Sequence, residues 1–275
     1  MRRVSKPPDK TMTLSNIKAL ILDMDGVLWR DMLPIGELAA IFARIRDRNL
    51  KITIATNNST KTVDEFIEIL RAFGVELEPW QIITSSLATA HTLADQFSNG
   101  GPVFVIGENG ILRTLEEYGF STITDPADET RPIAVVVGFD RQFTYSKLRR
   151  ATLHIRAGVP FWGTNPDKTF PTPQGLVPGA GSTQAAIQAA TDVEPTIIGK
   201  PFPFIMQIAL ERLGTRPEET MVVGDRLETD VAAGQAAGCK TALVLSGVST
   251  KEQAQTWQPA PTIIADDLST LLELP

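Results

Sequence analysis

The stretch Leu22-Asp23-Met24-Asp25-Gly26-Val27-Leu28-Trp29 closes a short apolar run, Ala19–Leu22, that reads as a buried strand. Residues two apart on a strand face the same side. Asp23 and Asp25 therefore leave the strand end pointing into one crevice. Two carboxylates that close repel each other, and one resists ionising unless a cation lies between them. The pair thus suits either a metal ion or a division of labour between an ionised nucleophile and a protonated acid. Gly26 permits a tight turn and close approach of backbone to a ligand. The plainer reading is a strand-ending Asp followed by an Asp-Gly turn, and the stretch alone does not decide between them.

Working outward, the same arrangement recurs. Short β-branched runs at Ile52–Ala55, Val103–Ile106, Ile133–Val137, Thr196–Ile198, Met221–Val223 and Thr241–Leu245 alternate with helical patterns at Glu37–Arg48, Lys61–Phe73, Ser86–Phe97, Tyr145–Ala157, Ser182–Ala190, Phe202–Leu213 and Thr229–Ala237. Alternation of this kind predicts an α/β fold with parallel sheets and helices on their faces. In open sheets of this class ligands bind at the carboxyl edge of the strands. Hinge-like stretches at Thr84–Ala88 and Asp192–Pro195 set off a segment with its own strands and helices. The expected organisation is a core of residues 17–87 and 195–275, an inserted α/β unit at 88–194, and a polar tail at 1–16.

Three further strand ends carry chemistry. Thr56-Asn57-Asn58-Ser59-Thr60 offers hydroxyl, amide and backbone donors ahead of a helix, a ready anion cradle. Simple helix capping by Ser59 or Thr60 is the competing explanation. Gly199-Lys200-Pro201 holds a lysine between two conformationally special residues, where it could neutralise a phosphate and hold an ionised Asp. The alternative is an ordinary solvated lysine. Gly224-Asp225-Arg226-Leu227-Glu228-Thr229-Asp230 supplies a direct metal ligand in Asp225. Asp230 could accept helix N–H groups and hold Lys200 or a metal-bound water, or simply complement a helix dipole. Their common place at strand ends strengthens the set. Oxygen-only ligands imply Mg²⁺, and the set suits phosphoryl transfer.

Composition limits the alternatives. The 275 residues are 43% apolar and 21% charged, so disorder is excluded, and the net charge of −6 leaves no basic excess for nucleic acid. No apolar run approaches a membrane span, and Met1–Asn16 has no signal-peptide core. A single cysteine, Cys239, rules out an intrachain disulfide framework and fits a reducing, cytoplasmic setting. Cys239, His91 and His154 read as structural. Gly107-Glu108-Asn109-Gly110 lacks a dinucleotide fingerprint and reads as a strand-to-helix turn.

Taken in order, Asp23-Met24-Asp25-Gly26-Val27, Thr56-Asn57, Lys200 and Gly224-Asp225 with Asp230 resemble the four motifs of the haloacid dehalogenase (HAD) superfamily. Trp29, Val137-Gly138-Phe139-Asp140-Arg141, Thr164-Asn165-Pro166-Asp167, Pro178-Gly179-Ala180-Gly181 and Gly199-Lys200-Pro201 extend the resemblance to subfamily IIA, which includes p-nitrophenyl, phosphoglycolate and pyridoxal phosphate phosphatases. The resemblance implies a HAD-like Rossmannoid core with an inserted cap. It implies a Mg²⁺-dependent phosphatase of small phosphorylated metabolites, with Asp23 as nucleophile and Asp25 as acid and base. Mg²⁺ would sit on Asp23, the Asp25 carbonyl and Asp225, supported by Asp230. Thr56, Asn57 and Lys200 would hold the phosphoryl oxygens. The cap loop Thr164–Pro173 would select the leaving group through Asn165, Asp167, Lys168 and Phe170, with Lys168 meeting a second anion and Phe170 stacking or merely packing. A homodimer through the cap is a family expectation. A phosphotransferase or mutase on the same fold, and a receiver-like phosphoacceptor switch, are the alternatives.

Overall fold

The structure, a computed structural model, describes residues 14–172 and 174–275. Two parallel sheets carry the architecture, each flanked by helices. The larger sheet has six strands in the order Ile263–Ala265, Lys240–Val244, Thr220–Gly224, Ala19–Leu22, Lys51–Thr56, Ile82–Thr84. The second has five, in the order Thr196–Ile197, Phe161–Gly163, Ala134–Val137, Gly101–Ile106, Phe120–Ile123. All pairings within both sheets are parallel.

Parallel sheets need both faces covered, and the sequence supplies apolar side chains to both. Leu20 and Leu22 pack on one side with Phe42, Ile45, Phe66 and Leu70 of the helices Leu38–Asp47 and Val63–Ala72. Ala19 and Ile21 face the other way. They join Leu87, Leu93, Ile111, Leu115, Ile205 and Met206, which lie on the helices Ser85–Gln96, Asn109–Glu117 and Phe204–Leu213. That same apolar cluster takes in Val103, Val105, Ala134 and Trp162 of the second sheet. One apolar cluster thus runs from the first sheet to the second through these helices. The outer face of the second sheet is covered by Ala151, Ile155 and Ile187 from the helices Tyr145–Arg156 and Ala180–Thr191.

Several boundaries differ from the sequence reading, each for a local reason. Residues 1–13 of the expected tail lie outside the described residues, but Leu14 is buried in the core and its N–H donates to Pro275 O at 2.7 Å. Thr196–Ile197, expected in the larger unit, pairs with Phe161–Gly163 in the second sheet. The hinge expected at Thr84–Ala88 is the capped first turn of a buried helix: Thr84 Oγ1 accepts from Leu87 N at 3.0 Å. The helix expected from Lys61 begins at Val63, where Thr62 and Glu65 form a reciprocal capping box, a cap of about 1 kcal/mol. Ser59 and Thr60 are thereby left free of that duty.

The sequence reading named no strand at Phe120–Ile123, Phe161–Gly163 or Ile263–Ala265 and no helix at Lys251–Thr256 or Leu268–Leu271, and two hairpins escaped it as well. Thr169–Thr172 pairs antiparallel with Gly175–Pro178, and Trp29–Arg30 with Leu33–Pro34. The second turns through Asp31 (φ 49°) and Met32 (φ 63°). Two consecutive left-handed residues are usually Asn-Gly, so Asp-Met gave no turn signal; each such residue costs about 1 kcal/mol.

Candidate active site

The strand order of the larger sheet reverses between Ala19–Leu22 and Thr220–Gly224, the topological position at which open α/β sheets bind ligands. Asp23 emerges from the first of these strands and Asp225 from the second. A cleft of about 460 Å³ opens there, lined by Asp23, Asp25, Thr56, Asn57 and Asp225 at strand ends of the larger sheet and by Lys200 on the loop after Thr196–Ile197. Asn165, Asp167 and Phe170 of the insert form part of the opposite wall.

Lys200 organises the floor. It is 2% exposed, and its Nζ donates to Asp23 Oδ1 at 2.6 Å, Asp230 Oδ1 at 2.7 Å and Ala55 O at 2.9 Å. All three ammonium hydrogens are used. Burial works against its charge, but Asp23 and Asp230 outweigh it and hold the ammonium above its ordinary pKa. Asn57 fixes the lysine's backbone from both sides: its Oδ1 accepts from Lys200 N at 2.8 Å and its Nδ2 donates to Lys200 O at 3.0 Å.

The carboxylates differ in their remaining valence. Both oxygens of Asp230 have donors, Lys200 on one and the Arg226 N–H on the other at 3.1 Å. Asp225 accepts at Oδ2 from Val248 N at 2.7 Å, and Asp23 at Oδ1 from Lys200. Asp23 Oδ2 and Asp225 Oδ1 have no hydrogen-bond donor among the described residues. Ligand atoms of Asp23, Asp225 and Asp230 lie within 4.8 Å of one another. Three enclosed carboxylates against one lysine leave excess negative charge. Burial, followed by repulsion from Asp230, pushes Asp225 up to about 6. Burial also raises Asp23, against the pull of Lys200. A bound cation would relieve this excess, and the two open oxygens are where the donor set fits one.

Asp25 is reached by water yet walled in by the cleft. That desolvation raises its pKa, although Trp29 Nε1 donates to its Oδ1 at 3.0 Å and works the other way. The packing behind the pair leaves no room for side chains. A Cβ on Gly26 (φ 83°) or on Gly247 would run into the Asp225 carboxylate, and one on Gly224 into Asp230. Asp230 itself lies in a single π-turn, Leu227–Val231, within the helix expected from Thr229. Such turns often mark functional sites.

The insert is pinned to the strand ends by polar contacts. Asn165 Nδ2 donates to Asn57 O at 2.9 Å, Asn57 Nδ2 donates to Asp167 Oδ2 at 3.2 Å, and Asn165 Oδ1 accepts from Asp167 N at 3.1 Å. Ser85 Oγ donates to Asn57 O at 2.7 Å. Phe170 packs on Phe139 with ring centroids 4.8 Å apart. Lys168, expected to face the cleft, is exposed and absent from its lining; its carbonyl instead accepts from Gly179 N and Ser182 Oγ. The cations that do line the cleft include Lys61, Arg141 and Arg226. The sequence placed Arg141 and Arg226 beside strand-end motifs without giving them a role, and Lys61 carried no signal. Nor did Ser246-Gly247-Val248, although a glycine after a β-branched strand was there to be read.

Sequence profiles decide the family. One described as haloacid dehalogenase-like hydrolase matches residues 20–121, and one described as HAD-hydrolase-like matches 197–271. A curated relative from Bacillus subtilis named 5'-nucleotidase YutF is 37% identical over 93% of this chain and 98% of its own length. The chain belongs to the haloacid dehalogenase-like hydrolases. Within them it falls in subfamily IIA. Two solved HAD structures superpose with a TM-score of 0.86 and are each 33% identical over 94% of this chain. One is a p-nitrophenyl phosphatase from Archaeoglobus fulgidus, covered over 98% of its length. The other is a glycerol phosphate phosphatase from Mycobacterium tuberculosis in complex with calcium, covered over 75%. The two-sheet architecture is thus that of HAD-fold enzymes with a cap.

Proposed function

We propose that this HAD hydrolase is a Mg²⁺-dependent phosphatase that hydrolyses phosphomonoesters of small metabolites through an aspartyl-phosphate. The observation that carries the reading is Lys200 bridging Asp23 and Asp230 beside Asp225, with Asp25 facing the same cleft. Asp23, the Asp25 main-chain carbonyl and Asp225 would hold the cation, which would offset the negative charge of the transferring group. Oxygen-only donors suit a hard ion such as Mg²⁺.

Asp23 Oδ1 attacks phosphorus as the Lys200 ammonium exchanges that oxygen for a phosphoryl oxygen, while Thr56 Oγ1 and the Asn57 N–H hold the other phosphoryl oxygens. The ester P–O bond breaks, and Asp25 gives its proton to the departing oxygen. The raised pKa of Asp25 suits that donation. Once ionised, Asp25 takes a proton from water, whose oxygen attacks the acyl phosphate. Inorganic phosphate leaves, and both carboxyl groups return to their starting states. The leaving group rests against Phe139 and Phe170 on the insert side.

The relatives' names support phosphomonoester hydrolysis while pointing to unlike leaving groups. Among the described residues no helix is long and apolar enough to cross a membrane, which agrees with a cytoplasmic enzyme. Exposed Tyr145 and Leu153 on one helix of the insert offer apolar surface for a homodimer.

The test is phosphate release from p-nitrophenyl phosphate with Mg²⁺ or EDTA, for the wild type and Asp23→Asn. Metal-dependent release abolished by the substitution is expected. Full turnover by Asp23→Asn would remove the covalent route. Phosphate appearing on an added alcohol instead of in solution would make the enzyme a phosphotransferase.

A further inference from the structure

The insert places one cation in the cleft under unusual restraint. Arg141 Nε donates to Glu108 Oε1 at 2.8 Å and Nη2 to Glu108 Oε2 at 2.6 Å, a two-pronged pair; the Arg141 backbone N–H adds a third bond to Oε1 at 3.1 Å. The guanidinium also lies over the Phe139 ring, 5.6 Å from its centroid. The loop that carries both residues is anchored behind by Asp140, which is 3% exposed and pairs with Lys147 at 2.7 Å. A surface arginine normally samples many rotamers, and this one is held in place although its side chain is 69% exposed.

The restraint leaves part of the fork unused. Arg141 Nη1 has no acceptor among the described residues. The aromatic pair Phe139–Phe170 lines the same cleft as Arg141. Arg226, the other arginine of the cleft, acts electrostatically on Asp25, Asp167 and Asp225, at the phosphoryl end. Arg141 is tied to Glu108 on the insert. A substrate with its phosphoryl group at Asp23 and its body against the two phenyl rings therefore extends toward Arg141.

Building on the phosphatase reading, we infer that Arg141, set by Glu108, is a specificity-determining residue that binds a second oxyanion on the leaving group. The substrate class is a small phosphomonoester whose far end carries a carboxylate or second phosphate. Guanidinium N–H groups in a fixed plane match such an oxyanion better than a hydroxyl. A site built for a charged group also discriminates strongly against the analogue lacking it.

Matched substrate pairs test this: 3-phosphoglycerate against glycerol 3-phosphate, and 4-carboxyphenyl phosphate against phenyl phosphate. In at least one pair, Arg141→Met is expected to lower the ratio of kcat/KM for the acidic over the neutral member at least tenfold, chiefly through KM. Glu108→Gln, which keeps the guanidinium but loosens it, should lower the same ratio less. An unchanged ratio in both pairs, or equal loss on the acidic and neutral members, overturns the assignment of Arg141 while the phosphatase reading stands. Absence of metal-dependent p-nitrophenyl phosphate hydrolysis by the wild type removes the phosphatase reading, and this inference with it.

Discussion

The Lys200 ammonium stands 2.6 Å from Asp23 Oδ1, although 177 residues separate them in the chain. The contact closes the insertion on itself: the strand that ends at Asp23 and the loop that returns from the second sheet meet at one ion pair.

Removing that ammonium should therefore cost more than one phosphate contact. In Lys200→Met, Asp23 and Asp230 lose their shared cation in a buried setting. Breaking a buried pair from one side destabilises by roughly 3–5 kcal/mol. Loss of a positioned donor to the transferring group lowers kcat about 10²-fold or more. Melting curves and p-nitrophenyl phosphate kinetics in saturating Mg²⁺ check both. Wild-type turnover in a fully folded Lys200→Met would show that the lysine serves the fold alone.

The glycines behind Asp225 give a second prediction. Gly247→Ala puts a methyl into the Asp225 carboxylate, so the Mg²⁺ concentration for half-maximal activity should rise at least about tenfold, of the order expected when a ligand's support is lost. Gly26→Ala meets the same carboxylate and adds left-handed backbone strain of about 1 kcal/mol. It should show the metal effect and a lower Tm together. A metal titration unchanged in both variants would place the cation away from Asp225.

Asn165 joins the insert loop to the backbone of the Thr56–Thr60 loop through Asn57 O. Asn165→Ala leaves that carbonyl with only Ser85 and frees Asp167 N from its acceptor. A loss of about 1–2 kcal/mol is expected for the buried groups, with KM rising as Asp167 and Phe170 shift. Denaturant unfolding and steady-state kinetics read the two effects separately. Unaltered values in both would make the contact incidental.

His154 supplies a pH dependence remote from the cleft. Burial, then Arg150, lowers its pKa, and its Nε2 has no hydrogen-bond partner among the described residues. The unfolded chain takes up a proton near pH 6.5, about the ordinary imidazole value, where the folded chain still refuses it. The stability from this group is thus present above that pH and lost as pH falls toward the depressed folded value. His154→Phe, packed against Phe104, should show a smaller fall in Tm between pH 7.5 and 5.5 than the wild type. Parallel pH profiles would mean that the histidine titrates normally.

Much of this architecture was legible because parallel strands advertise themselves. Ala19–Leu22 matched its expected bounds, and most of the other predicted strands and helices lay within one or two residues of those observed. What failed was local chemistry without a strong sequence signature. Asp31-Met32 adopts a turn that those residues disfavour. Thr196–Ile197 is too short to show which sheet it joins. At the cleft, the carboxylates and Lys200 were readable from strand-end spacing. Lys168 was misread because a loop's sequence does not say which way its side chains point. Arg141 was passed over because its meaning depends on Glu108, thirty-three residues away and across the insert.

The apolar cluster that joins the two sheets has a consequence for engineering. Ala19, Ile21, Leu93, Val103 and Trp162 belong to one uninterrupted apolar cluster. The segment that builds the second sheet therefore cannot be lifted out like a cassette. A chimera that grafts another hydrolase's insert in its place would bring a foreign surface against Ile205 and Met206, and its success would turn on matching that seam before any loop over the cleft had an effect.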